Sequence, residues 1–193
     1  LELFEDTHGV LWVITDRGPN LYDPSTGQFH QPVMTEGALP SGIYPFRQFR
    51  QDRHGHIWAI FNDKLVLFTP GNGASPEQIA GELHIRTDIL PARRYGYISS
   101  ISIIGDELWI VIQQGDIALS LSSFAIRSLT FDHLPAPVRF WEDTIDHSVW
   151  VIHPQGVSRL SGGPIKTAFI TNGAMANIDG IHSASGLYFF SSS

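Results

Sequence analysis

Four short blocks of this sequence repeat one another, each with a tryptophan in the same place. Asp6-Thr7-His8-Gly9-Val10-Leu11-Trp12-Val13-Ile14 is the first, and Asp52-Arg53-His54-Gly55-His56-Ile57-Trp58-Ala59-Ile60 the second. Gly105-Asp106-Glu107-Leu108-Trp109-Ile110-Val111 is shorter, and Asp143–Ile152 carries one extra residue before Trp150. Gly186-Leu187-Tyr188-Phe189-Phe190 begins a fifth block with Tyr in the Trp slot. Trp12, Trp58, Trp109 and Trp150 are 46, 51 and 41 residues apart. That period suits propeller blades, which are four-stranded sheets of about 40–50 residues.

The runs around each Trp are apolar at odd and even positions alike, as in Leu108-Trp109-Ile110-Val111-Ile112. Side chains alternate faces along a strand, so both faces of these strands must be covered. A parallel sheet would cover them with helices, but no helix-length amphipathic segments separate the runs. A sandwich would bury one face and produce alternation. Blades packed face to face bury both. The expected fold is all-β: a β-propeller segment of about four and a half four-stranded antiparallel blades. Their approximate bounds are 1–33, 45–88, 97–131 and 138–170, with a partial blade over 176–193. Strand-and-turn order within a blade is clearest in the first. Strands near 2–5, 10–15, 20–23 and 28–33 are separated by turns at Asp6-Thr7-His8-Gly9, Asp16-Arg17-Gly18-Pro19 and Pro24-Ser25-Thr26-Gly27. Ser75-Pro76-Glu77-Gln78 predicts a short helix over 75–81, with Ser as N-cap and Pro at the first helical position.

Composition narrows the function. The 193 residues hold 12 Lys+Arg against 19 Asp+Glu, a net charge of −7, which argues against a nucleic-acid partner. There is no Cys, so disulfides and thiol chemistry are excluded. No apolar run is long enough to span a bilayer. Leu1 falls inside an expected strand with no initiator Met or signal peptide, so a segment of a larger protein is expected.

The blocks resemble a known family. Asp-x-x-Gly-x-Leu-Trp-Val-x-Thr over 6–15, then Asn20-Leu21-Tyr22-Asp23-Pro24 and Gly27-Gln28-Phe29, is similar to the regulator-propeller repeat. That repeat fills the periplasmic sensor of hybrid two-component histidine kinases of the Bacteroidetes type. The resemblance implies two seven-bladed propellers ahead of an immunoglobulin-like domain, a membrane helix, a kinase and a response regulator. It implies an oligosaccharide ligand, a periplasmic location and membrane anchoring of the parent, with kinase chemistry outside this segment. The fourth block has Asp146 where Gly would stand, and Asp tolerates positive φ better than most residues. Four and a half blades would leave end faces open, so self-association is expected.

The repeated Trp residues are read as inter-blade core rather than sugar platforms. Trp141 lies outside their register. Aligned on Phe4, it falls on an inner strand, where an aromatic packs in the core or lines the central channel. Glu142 and Asp143 are adjacent on a strand and point to opposite faces, so they cannot flank one glycosidic bond. His54 and His56 have the spacing that puts two side chains on one strand face, but no third metal ligand lies near them in sequence. Ligand candidates are Arg93, Arg94 and Tyr95 in the connection between two blades, with Tyr44 and Arg47 in the preceding connection, and Trp141. Guanidinium groups bind carboxylate or sulfate bidentately, and Tyr stacks on sugars. No catalytic residue, cofactor or metal is expected. The alternatives are a propeller scaffold for a protein partner and a polysaccharide-active propeller enzyme.

Overall fold

The computed structural model describes residues 2–15, 17–32, 46–71, 73, 75–90, 95–130, 137–143, 145–154, 156–160, 178–184 and 187–192, the last two stretches by their backbone. Residues 161–170 of the blade expected over 138–170 lie outside them. The chain divides into two compact units, Leu1–Ile98 and Ser99–Ser193.

The first unit holds two four-stranded antiparallel sheets in sequential order. One is β1 (Glu2–Glu5), β2 (Leu11–Thr15), β3 (Gly18–Asp23) and β4 (Gln28–His30). The other is β5 (Phe46–Gln51), β6 (Ile57–Phe61), β7 (Lys64–Thr69) and β8 (His84–Arg86), with the helix α1 (Pro76–Gly81) between its last two strands. The Ser75 hydroxyl caps α1 by accepting from the Gln78 N–H, as the sequence predicts. The second unit holds β9 (Ile98–Ile104), β10 (Glu107–Ile112), β11 (Ile117–Ser120) and β12 (Ile126–Ser128) as one sheet. It continues with a three-stranded sheet of β13 (Arg139–Glu142), β14 (Val149–His153) and β15 (Gly156–Leu160), and a pair, β16 (Ile178–Ala184) and β17 (Leu187–Ser192). Sequential antiparallel sheets with a recurring Trp on the second strand make this a β-propeller segment.

Each Trp sits at the same register and on the same face. Trp12 lies opposite Phe4 and Leu21, and Trp150 lies opposite Trp141 and Arg159. In the first unit the face carrying Trp12, Ile14 and Leu21 packs on the far face of the next sheet, made of Ile57, Ala59, Phe61, Val66 and Phe68. Four Phe rings bind this seam: Phe46 lies 4.6 Å from Phe61 and 5.6 Å from Phe68, and Phe49 stacks on Phe68 at 5.8 Å. Ile79 and Ala80 of α1 join the same core. The second unit repeats the rule. Trp109, Val111 and Ala118 face Phe140, Val151 and Val149 of the following sheet, with Trp109 edge-on to Phe140 at 5.0 Å.

Burial of both strand faces holds for β6, where all five residues are buried, and nearly so for β14. It does not hold for β2, where Trp12 and Ile14 are buried but Leu11, Val13 and Thr15 only half-buried. The reason is visible on that side of the first sheet, where Leu3 is 62% and Phe29 58% exposed.

Polar groups stitch one inner strand to the next. The Glu2 carboxylate accepts the Gln48 and Phe49 N–H groups at 2.9 and 3.2 Å, where β5 shifts register and Gln48 takes a φ of 58°. The Ser100 and Ser102 hydroxyls donate to the Val138 and Phe140 carbonyls at 2.8 and 2.6 Å. In the turn before β11, half-buried Asp116 has its pKa pushed up to about 6 by desolvation.

Two outcomes follow from this packing. In urea denaturation, Trp12→Ala should lower stability by about 3–5 kcal/mol, whereas Phe29→Ser should cost less than about 1 kcal/mol. The raised pKa of Asp116 also has a sign. As pH rises from about 4 to 6 the unfolded chain ionises this group while the folded chain keeps its proton, so stability falls. Above about 6 both states are ionised and the penalty is constant. Asp116→Asn should therefore stabilise the chain at pH 7.5, with the gain vanishing near pH 4, in denaturation measured across pH.

Candidate functional site

The most elaborate local structure lies in the turns that join the first two strands of the first two sheets. Asp6 and Asp52 are buried there, at 5% and 3% exposure. One oxygen of Asp6, Oδ1, accepts the His8 and Val10 N–H groups at 2.9 and 3.0 Å. The other, Oδ2, accepts the Trp12 indole N–H at 3.0 Å. Asp52 does the same with His54, His56 and Trp58, at 2.8, 3.0 and 2.8 Å. Gly9 and Gly55 close the turns with φ of 78° and 81°, a region that disfavours a side chain.

The second unit varies this device. Gly105-Asp106 forms a shorter turn, and the Trp109 indole donates instead to Glu107 at 3.0 Å. Arg127 bridges the same carboxylate and holds its pKa below the usual range. Asp143 is again buried, and its Oδ1 accepts the Ile145 N–H at 2.8 Å. The expectation that Asp146 adopts positive φ is wrong: His147 does, at 55°. The extra residue makes the His147 N–H the one that closes on the Asp143 carbonyl, at 2.9 Å, so the left-handed position moves one place along. The Asp146 carboxylate instead accepts from the Ser148 N–H and pairs with Arg159.

Because the first two turns are equivalent, they bring their third residues together. His8 and His54 line one cavity of about 370 Å³, with His56, Thr69, Gly71 and Ile79. The sequence reading places His54 and His56 on a strand face. They instead flank Gly55 in the turn, with rings 6.0 Å apart. The third imidazole is distant in sequence, and the signal that could have found it is the repeat itself. Among the described residues no three metal-ligating side chains are placed to hold a metal ion. The segment after β7 lies so close to α1 that a Cβ at Gly71 would stand 2.3 Å from Glu82 Cβ.

The residues singled out in the blade connections are placed as follows. Tyr44, Arg93 and Arg94 lie outside the described residues. Tyr95 is half-buried just before β9. Arg47, at the start of β5, sits over the Tyr97 ring at 5.1 Å and donates to the Ile98 carbonyl at 2.6 Å. It therefore stands at the opposite end of its sheet from the histidine cavity. Asp88, in the connection that follows β8, accepts from Arg86 at 3.2 Å. Trp141 is half-buried on β13, in the same row as Trp150 and packed on it. Its neighbour Glu142 accepts the Gly105 N–H at 2.6 Å and meets His147 at 3.0 Å. A His–Ser pair, His153 Nε2 to Ser158 Oγ at 2.9 Å, joins β14 to β15. Both side chains are buried, and burial lowers the His153 pKa, so the pair acts as a packed strut rather than an exposed nucleophile.

No family model and no curated protein matches this chain. Solved structures do. The extracellular domain described as that of the hybrid two-component system BT3049 from B. thetaiotaomicron matches with a TM-score of 0.63 at 15% identity, over 99% of this chain and 25% of that one. The corresponding domain of BT4673 from the same organism matches at 0.59 and 12% identity, over 87% of this chain and 21% of that one. A catalytically inactive virginiamycin B lyase from Staphylococcus aureus, solved with quinupristin, matches at 0.67 and 17% identity, over 98% of this chain and 62% of that one. This chain therefore spans a fifth to a quarter of the sensor-domain chains and under two thirds of the lyase. At these identities the likeness concerns the fold: this chain is a β-propeller segment similar to the extracellular domains of Bacteroides hybrid two-component systems, as its repeats suggest.

Proposed function

We propose that this chain is a ligand-sensing segment of the periplasmic part of a hybrid two-component sensor kinase. On this reading it binds an oligosaccharide and passes the signal across the membrane to catalytic domains elsewhere in the parent. The observation that carries the reading is the fold shared with extracellular domains of such systems along nearly the whole chain. No helix among the described residues is long and apolar enough to cross a membrane. The segment itself does no chemistry; ligand works by its differential affinity for two arrangements of the parent. Its blades are those over 1–33, 45–88, 97–131 and 138–170, with a partial blade over 176–193. Arg93, Arg94, Tyr95, Tyr44, Arg47 and Trp141 contact the ligand. The placement of Arg47 beside Tyr97 at the start of β5 supports this rim. Self-association uses the exposed apolar face of the first sheet, where Leu3 and Phe29 lie.

A second reading, a propeller enzyme, is favoured by the fold match to a lyase at a TM-score of 0.67. One experiment separates the two. In a thermal-shift screen of neutral and acidic oligosaccharides, one glycan should raise Tm by about 5–10 °C at a hundredfold excess over its Kd. Arg93→Ala with Arg94→Ala should abolish the shift without changing Tm in the absence of glycan. No shift with any glycan would overturn the sensor reading. Shortening of the stabilising glycan, followed by chromatography, would establish the enzyme instead.

A further inference from the structure

The histidine cavity lies at the other end of its sheet from Arg47, and nothing in the sensor reading uses it. We propose that it is a second ligand site, one that takes the carboxylate of a small acid the size of a single sugar ring. Its volume of about 370 Å³ lies at the small end of ligand pockets.

The imidazoles are presented on a built frame. The His8 and His54 backbones are pinned by the Asp6 and Asp52 carboxylates and held against glycines in the left-handed region. These side chains hold neither turn together, because Asp and Gly already do so. His56 is fixed more tightly. Its own N–H and its Nδ1 both face Asp52, at 3.0 and 3.3 Å. With Asp52 ionised, Nδ1 carries the proton and Nε2 is left for the cavity.

The surrounding charges are compatible with an anion. Asp6 and Asp52 are turned into their own turns and occupied by backbone and indole donors. Glu5 lies beside Gly9, and Glu82 lies against Gly71 on the α1 side. Arg53 adjoins His54 in its turn. No carboxylate side chain is among the described residues lining the cavity. The His8 and His54 imidazoles lining the cavity can each turn an N–H donor toward a carboxylate oxygen placed between them.

The test is titration of the chain, with a chelator present, by D-glucuronate and by glucose, followed through the imidazole C–H resonances in NMR. Glucuronate should move the signals of His8, His54 and His56 together and saturably. Glucose should not move them. The double variant His8→Asn/His54→Asn should lose binding while keeping its Tm. His8→Lys/His54→Lys, which keeps cationic N–H donors at both positions, should retain binding. Equal response to glucose, undiminished binding by the Asn variant, or no response at all would overturn the proposal. On this proposal the Arg93→Ala and Arg94→Ala variants should leave glucuronate binding unchanged. Its failure is thus distinct from failure of the oligosaccharide reading.

Discussion

A buried carboxylate that grips both a turn and an indole is the interaction on which the first unit depends. Burying an ionised Asp costs free energy unless donors replace its water. Asp6 and Asp52 each recover at least three: two backbone N–H groups from the turn and one indole N–H from the strand that follows. The turn thereby fixes how far Trp12 and Trp58 project and which way their rings lie. Those rings are fully buried, so the same carboxylate that shapes a turn also positions a knob of the packing between sheets. Charge-assisted bonds of this kind are stronger than neutral ones. Turn, register and core therefore form together or fail together.

The packing has a direction. In each unit the Trp-bearing face of one sheet meets the opposite face of the next, where Phe68 or Phe140 waits for it. A sheet in this scheme has two different faces, and a blade packed backwards would set Trp against Trp. Between inner strands the contacts are polar. Glu2 in the first unit, and Ser100, Ser102 and Glu142 in the second, use side chains to satisfy backbone groups that edge strands leave open. Apolar faces set the order of sheets, and polar edges set their height relative to one another.

Much of this was legible because it is periodic. The spacing of Trp12, Trp58, Trp109 and Trp150 announced the repeat, and the two-sided apolar runs announced strands squeezed between layers. Ser75-Pro76 announced its helix because capping is a local matter. What escaped depended on distance or on small changes of loop length. The meeting of His8 with His54 and His56 follows from stacking two equivalent turns, which no local spacing records. His147 rather than Asp146 took positive φ because one inserted residue changed which N–H closes the turn. The sequence named Arg47 as a ligand candidate but could not show its contacts with the Ile98 carbonyl and the Tyr97 ring. A long side chain's partners are chosen in three dimensions.

The Asp-x-x-Gly turns also divide their labour unevenly. Positions one and four hold the backbone, and position three, occupied by His8 and His54, only borrows that rigidity. A loop secured from within can exchange its third side chain without renegotiating the fold. Duplicated blades thus become a row of interchangeable sockets. Chemical identity at the rim can drift from blade to blade while the architecture beneath stays still.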